Sequence, residues 1–489
     1  MRYPAATEPG KSGKGPPPPL RVPRRNGSTA PERAGQPAPR MSGSARLSPL
    51  HRALSLLLPV FALLGCSSTK APGPKPLFTP PPILDEPPRG AVFPVMLGID
   101  VLEADGFAAV KGKRIALLSH PAGVNRRGTP TVEVLRRAPG VKLVTLFGPE
   151  HGIHGDAPAS AKVPDSTDKR TGLPVFSLFP PRRPTKAMLK DIDALVIDLQ
   201  DIGTRSYTFA AAMRWAMEGC FQNGVEVIVL DRPNPLGGLK ADGPPMDADL
   251  LSYVGAFRVP YVHGLTMGEL ARMTKDAPEA PGRHALTDAQ RTKGKLTVIP
   301  MRGWTRSMRW TETGLTWIPT SPLIADFEAV KGYPMTGLGC EIGGFKHGVG
   351  SQYQFRGVLH LTSKIDVYEK ELRALNLPGL DFRRVSAPNT KTGKAGTGLY
   401  IEIRDYDAWR PTELNFHLMR LACKLEPRNP FTFAPTPQRS LFLNLLGSRA
   451  FFNDLAANGK NTDIERWLKQ WREQAKIYQQ QSQKYWLYR

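Results

Sequence analysis

Glu150, His151 and His154 fall within the nine residues "GPEHGIHGD" (148–156), between glycines and directly after the apolar run "VKLVTLF". A carboxylate beside two imidazoles permits two chemistries: acid/base work by Glu150, or metal binding by all three. Zinc peptidases need a helix to bring two such imidazoles onto one face, and Gly152 and Gly155 argue against a helix here, so no metal is expected. A carboxylate in a Gly-rich turn just past a buried strand is a candidate for catalysis rather than a solvated loop charge.

The elements that must hold this turn are legible around it. "RIALLSH", "VKLVTLFG", "LPVFSLF", "DALVIDLQ" and "VEVIVLD" read as strands, with helices at "TPTVEVLRRA", "TKAMLKDI" and "TFAAAMRWAMEGCFQN". Continuous apolar strands separated by helices predict a parallel sheet covered on both faces, an α/β fold of doubly wound, Rossmann-like type. The segments "SHPAG", "GPEHG", "DLQDIGTRSY" and "DRPNP" then end four strands and converge on one sheet edge, where such folds bind ligands. Past Gly237 the alternation lapses into loops rich in Gly, Trp and Pro. "GLYIEIRDY" and the helical "ELNFHLMRLACKL" predict a second, smaller α+β domain. The chain closes with a helix whose capping box is Thr462 with Glu465. Its apolar stripe of Ile464, Trp467, Leu468, Trp471, Ala475 and Tyr478 is read as core.

Rival chemistries lack their signatures. "SHPAGVNRRG" has no dinucleotide fingerprint, Lys346 in "GGFKHGVG" is followed by His347 rather than Ser/Thr, and no G-x-S-x-G occurs. Cys220, Cys340 and Cys423 have no zinc-type spacing. No cofactor is therefore expected. A carboxylate, amides, Arg and Tyr around a cleft suit a sugar, which needs an acid to protonate its leaving oxygen.

In order along the chain, "LFGPEHGIHGD", "DLQDIGTRSYTF", "VLDRPNPLGG", "VHGLTMGELARM" and "LTVIPMRGWTRSMRW" resemble the exo-β-N-acetylmuramidase family, from about Gly98 to the final "KYWLYR". The resemblance implies a Rossmann-like domain with a smaller C-terminal domain and removal of N-acetylmuramic acid from the non-reducing end of peptidoglycan fragments. It places the catalytic acid/base at Glu150. It also implies that His151, Gln200, Asp201, Arg205, Tyr207, Asp231, Arg232, Asn234, His263 and Glu341 order the cleft or bind the sugar. For Asp231 and Arg232 a purely structural turn, braced by Pro233 and Pro235, is an equal reading. Two loops depart from the family pattern: His120 replaces an Asn, and His347 replaces a Glu in "EIGGFKHGVGS". Two imidazoles facing the sugar would make its affinity strengthen as pH falls between about 8 and 5. The altered loops also sustain rival readings: a non-hydrolytic wall-binding lipoprotein, or a hydrolase of another carboxylated or N-acetylated sugar.

The 489 residues carry a formal charge of +23, but residues 1–40 alone hold eight Lys/Arg against two Asp/Glu, and no basic block is interleaved with aromatics. A nucleic-acid partner is not expected; a basic exported protein suits an anionic cell wall. Residues 1–40 are read as disordered, with Met41 a candidate start. Residues 41–65 read as a lipoprotein signal peptide, since Arg46 and Arg52, an apolar run and "LLG" precede Cys66, the expected lipidation site. That implies a lipid-anchored protein on the periplasmic side of a bacterial membrane, with the outer membrane favoured by Ser67. Residues 66–94 form a Pro-rich tether, 95–300 the Rossmann-like catalytic domain and 301–489 the smaller domain.

Overall fold

The computed structural model describes residues 95–276, 286–389 and 393–489. The expected disordered extension, signal peptide, Cys66 and tether lie outside the described residues.

Helix α1 (Gly98–Ala104) leads into β1 (Arg114–Ser119), α2 (Thr131–Arg137) and β2 (Lys142–Gly148). A short β3 (Ser166–Thr167) precedes β4 (Pro174–Ser177) and β5 (Ala194–Asp198). Then follow α3 (Thr208–Gln222), β6 (Glu226–Leu230), α4 (Met267–Asp276), α5 (Asp288–Lys293) and β7 (Leu296–Ile299). The seven strands lie in the order β3-β4-β2-β1-β5-β6-β7, parallel throughout except for β3 against β4. The chain winds outward from β1 through β2 to β4, then returns to β5 and winds outward the other way. The order therefore reverses between β1 and β5, which is the doubly wound arrangement and marks the crevice for a ligand.

Alternation along each strand separates two cores. Ile115, Leu117, Val196 and Ile228 pack with Ile99, Val132 and Leu135 on the α1/α2 face. Leu118, Leu195, Ile197, Val227 and Val229 pack with Phe209, Met213 and Leu270 on the α3/α4 face. Helix α3 is buried almost all round, and its small residues let neighbours close in. A Cβ on Gly219 would stand 2.7 Å from the Pro184 carbonyl oxygen.

Beyond β7 come α6 (Phe327–Thr336), β8 (Phe345–Lys346), β9 (Gly357–His360), α7 (Ile365–Ala374), β10 (Leu380–Pro388) and β11 (Ala395–Ile403). The second sheet is antiparallel, ordered β10-β11-β9-β8. Helices α8 (Glu413–Leu425), α9 (Pro430–Phe433), α10 (Thr436–Leu446), α11 (Arg449–Asn458) and α12 (Ile464–Ser482) complete the chain. The α3-face core continues into this half through Val330, Phe345, Leu399 and Leu414. The last residues return to the first sheet: the Tyr488 hydroxyl donates to Asp231 Oδ2 at 2.6 Å.

Three expectations change. "TKAMLKDI" forms successive turns instead of a helix. The strand–helix alternation does not lapse at Gly237, because α4 and β7 extend the parallel sheet by another unit. The last helix is capped by Asp463, whose side chain accepts the Arg466 N–H, and not by Thr462. An ionised carboxylate is the stronger acceptor at the positive end of the helix dipole. The stripe is core as expected, with Ile464, Trp467, Leu468 and Trp471 buried against Phe416 and Phe451.

Candidate active site

The loop after β2 folds back tightly on itself. A Cβ on Gly148 would lie 2.7 Å from the Ile153 nitrogen, and Gly152 and Gly155 have φ of 76° and 70°. His151 also lies in the left-handed region, at φ 71°, which a non-glycine residue occupies only when its surroundings hold it. What holds it is its ring: Nδ1 lies 2.8 Å from the Ala157 carbonyl, so this nitrogen carries the proton and donates. His154 points elsewhere, its Nε2 3.4 Å from Asp168 Oδ1. The two imidazoles do not converge.

That backbone presents Glu150, only 8% exposed, toward the α3 face. Its Oε1 accepts the Ser160 N–H at 2.8 Å, and its Oε2 accepts the Thr208 hydroxyl at 2.7 Å, from the first residue of α3. Tyr253 lies close by; burial first, then the Glu150 charge, raises its pKa, and its buried hydroxyl has no partner among the described residues. Its ring packs edge-on against Trp215 at 5.0 Å and tilted against Phe179 at 6.0 Å, which makes an aromatic wall. Tyr333, from α6, closes the other side. Burial raises its pKa, and the carboxylates of Glu341, Glu150 and Asp201 add to the effect. One half-buried phenol thus stands within electrostatic reach of three carboxylates, contributed by both halves of the chain.

Several expected residues meet here and others serve elsewhere. Asp201, in the loop just past β5, accepts the Gly203 N–H at 2.7 Å on Oδ2, while its buried Oδ1 has no partner among the described residues. His263 accepts the Leu265 N–H on Nδ1 and turns Nε2 toward Asp201, 3.6 Å away. Tyr207 precedes α3 and donates to Thr320 Oγ1 at 2.8 Å. Glu341 lies exposed at the rim, and the protein packed around the rest of its carboxyl raises its pKa. Gln200 is a brace: its side-chain amide donates to the carbonyls of Asp201 and Pro233.

Arg205 is not turned to a ligand. Its guanidinium donates to the carbonyls of Pro244, Val259, Leu445 and Leu446, tying the first sheet to the end of α10. Asp231 accepts four donors, from Arg232 N, Gly268 N, the Thr266 hydroxyl and Tyr488, and burial pushes its pKa up to about 6. Arg232 is held bidentate by Asp198. Asn234 spans Leu236 N and the Leu265 carbonyl. These hydrogen bonds favour the structural-turn reading of "DRPNP".

The altered loops place one buried and one half-buried imidazole. His120 sits at the point where strand order reverses, its Nε2 accepting the Gln200 N–H at 2.9 Å and its ring edge-on to Phe209. Burial, then the charges of Arg232 and His151, holds its pKa well below the usual value. His347 stacks on Phe355 at 4.2 Å, nearly parallel, and burial lowers its pKa as well. Burial works against charging either ring, His120 most strongly, so the structure gives no support to the expected pH-dependent sugar affinity. Affinity for N-acetylmuramic acid should not strengthen between pH 8 and 5 on their account. Stability should respond instead. Below about pH 6.5 the unfolded chain binds protons that these folded imidazoles refuse, so the contribution of each falls as pH falls. Urea midpoints at pH 7 and 5 should drop less for His120→Asn than for the parent. An equal drop would mean His120 charges in the folded state.

A cavity of about 720 Å³ opens on the opposite, α2 face of the same loop, lined by His120, Val132, Leu146, Ile153, His154 and Arg170 among others. Glu150 does not line it. The acid/base groups of that cavity are already engaged, His154 beside Asp168 and His120 Nε2 with the Gln200 N–H, so the chemistry is placed with Glu150 and its neighbours. The sequence reading missed Thr208, Ser160, Tyr253 and Tyr333. Only Thr208 carried a signal, as the first helical residue after the "DLQDIGTRSY" segment.

A buried glutamate thus stands at the carboxyl edge of a Rossmann-like sheet, roofed by a smaller C-terminal half. Residues 115–328 match the family model for the N-terminal domain of the exo-β-N-acetylmuramidase NamZ, and residues 331–488 match its C-terminal domain. The chain belongs to this family. It is 35% identical over 405 residues to peptidoglycan β-N-acetylmuramidase NamZ of Bacillus subtilis (strain 168), covering 81% of this chain and 91% of that protein. Among solved structures, a DUF1343 family protein of Bacteroides fragilis NCTC 9343 superposes with a TM-score of 0.71 at 35% identity, over 81% of this chain and 99% of that one. A second from the same organism, at 24% identity, TM-score 0.60 and the same coverage of both chains, shares the fold.

Proposed function

We propose that this chain is a peptidoglycan-directed exo-β-N-acetylmuramidase that releases N-acetylmuramic acid from the non-reducing end of cell-wall fragments. The observation that carries this is Glu150, buried and held on both carboxyl oxygens at the ligand edge of a family-matched domain. The geometry supports a defined proton route. The Ser160 N–H can only donate, so the acidic proton belongs on Oε2, where the Thr208 hydroxyl can turn from donor to acceptor. Glu150 in that form protonates the glycosidic oxygen, and as the carboxylate it activates the incoming water. Asp201 and Glu341 are the further carboxylates within reach of Tyr333, and the Phe179–Tyr253–Trp215 wall offers the sugar an apolar face. The test is release of free N-acetylmuramic acid from muropeptides trimmed to that terminus, set against fragments ending in N-acetylglucosamine. Binding without release would favour the wall-binding reading.

The location proposed for this activity is the periplasmic side of a bacterial membrane, through an acylated Cys66, with the Pro-rich segment as tether. Among the described residues no helix is long and apolar enough to cross a membrane. The proposal rests on the Arg–apolar–Cys order in residues 46–66. Cys66→Ser should move the protein from the membrane to the soluble fraction. Unchanged fractionation would remove the anchor from the proposal.

A further inference from the structure

Glu413 and His417 stand one turn apart on α8, opposite Glu465 in the first turn of α12. One carboxylate oxygen or ring nitrogen from each lies within 4.8 Å of the other two. Glu413 and His417 are 6% and 3% exposed, whereas the Glu465 side chain is 66% exposed. His417 is anomalous: both ring nitrogens are buried, and neither has a hydrogen-bond partner among the described residues. Buried polar atoms are ordinarily paired, so an imidazole without one points to a missing ligand. Its Nε2 lies 3.7 Å from Glu465 Oε1, too far for a hydrogen bond. Two donors on one tetrahedral zinc stand about 3.4 Å apart, close to that gap. We propose that Glu413, His417 and Glu465 bind one divalent transition-metal cation, of the zinc type, which clasps α12 to α8.

The spacing supports it. Residues four apart on a helix share a face, so Glu413 and His417 present their donors side by side. An imidazole with two carboxylates favours zinc and its neighbours over calcium or magnesium, which take oxygen ligands. The competing cations are loosely placed. Arg410 lies 3.5 Å from Glu413 and Arg472 lies 3.8 Å from Glu465, distances at which a metal ligated at about 2 Å displaces them. Glu465 is exposed at a helix start and is the member free to close the last ångström. The clasp would act on stability rather than bond cleavage, because α12 leads into the tail that delivers Tyr488 to Asp231.

The test is calorimetric titration of the chelator-treated full chain with zinc chloride at pH 7, alongside Glu465→Gln and His417→Asn. Glu465→Gln alters an exposed side chain and leaves the fold intact, which keeps the test independent of any folding defect in His417→Asn. One zinc should bind the parent, at least tenfold more weakly in Glu465→Gln and more weakly still in His417→Asn. Zinc should also raise the thermal midpoint of the parent and not of the variants. Calcium should bind at least tenfold more weakly than zinc. Absence of zinc binding overturns the proposal. So does equal zinc affinity in Glu465→Gln, since metal held by the free thiols of Cys340 or Cys423 would survive that change. Calcium binding as tightly as zinc would overturn the role given to His417.

Discussion

Glu150→Gln is expected to lower turnover on an unactivated muramic acid glycoside by about a hundredfold or more, the range for losing a general acid. The amide keeps the shape of the side chain and can still accept the Ser160 N–H through its oxygen. Its NH2 group then meets the Thr208 hydroxyl, which can turn to accept it. The fold is therefore preserved, and what is lost is the ability to give or take a proton. The loss should depend on the leaving group. An aryl glycoside whose phenolate departs without protonation needs less help from the acid, so the variant should be impaired less on that substrate. Parallel kinetics on both substrates, with circular dichroism to show intact folding, decide the matter. Near-parental turnover on the unactivated glycoside would remove Glu150 from the reaction.

The position of that carboxylate was readable because position in this fold follows from pattern. Apolar runs with helices between them imply parallel strands, parallel strands place their ends on one edge, and "GPEHG" ends one of them. The functional type of Glu150 was therefore accessible before any geometry. The roles of its polar companions were not. Arg205, Asp231, Arg232 and Asn234 sit at the same edge, yet their hydrogen-bonding groups are directed at backbone carbonyls and neighbouring side chains. Nothing in a one-dimensional pattern tells a guanidinium aimed at a ligand from one aimed at the end of α10, more than two hundred residues later. Tyr333 illustrates the converse. It arrives at the cleft by tertiary packing of α6, and its surroundings in the chain, "KGYPM", carry no chemical signature. The histidines failed for a related reason. Their residue type suggests a titrating group, but burial decides whether an imidazole titrates near neutrality, and burial is a property of the packed molecule. The cap of α12 slipped by one residue because Thr462 and Asp463 are both good caps; geometry chose the stronger acceptor.

Arg232→Met should be strongly destabilising, although it lies beside the cleft and changes no proposed catalytic group. Arg232 donates from Nε to Asp198 Oδ1 at 2.5 Å and from a terminal nitrogen to Oδ2 at 2.9 Å and to the Val124 carbonyl at 2.5 Å. Asp198 is fully buried and Arg232 is 4% exposed. The pair joins the ends of β5 and β6 to the loop after β1, with the Thr131 hydroxyl of α2 as a further donor to Asp198. Removing the guanidinium leaves a carboxylate inside the protein with that one hydroxyl for company. Breaking a buried pair in this way costs about 3–5 kcal/mol, a large share of the 5–15 kcal/mol typical of a folded domain. The variant should therefore show a clearly lower urea midpoint and poor soluble yield. Replacing both partners removes the stranded charge, and exchange of a buried pair for apolar residues is often close to neutral. The double variant Asp198→Leu/Arg232→Met should accordingly recover much of the loss. Equal midpoints for the parent and Arg232→Met would show that the pair contributes nothing. A double variant no more stable than the single one would mean that the cost lies in lost packing and the unpaired Val124 carbonyl, not in a stranded charge at Asp198.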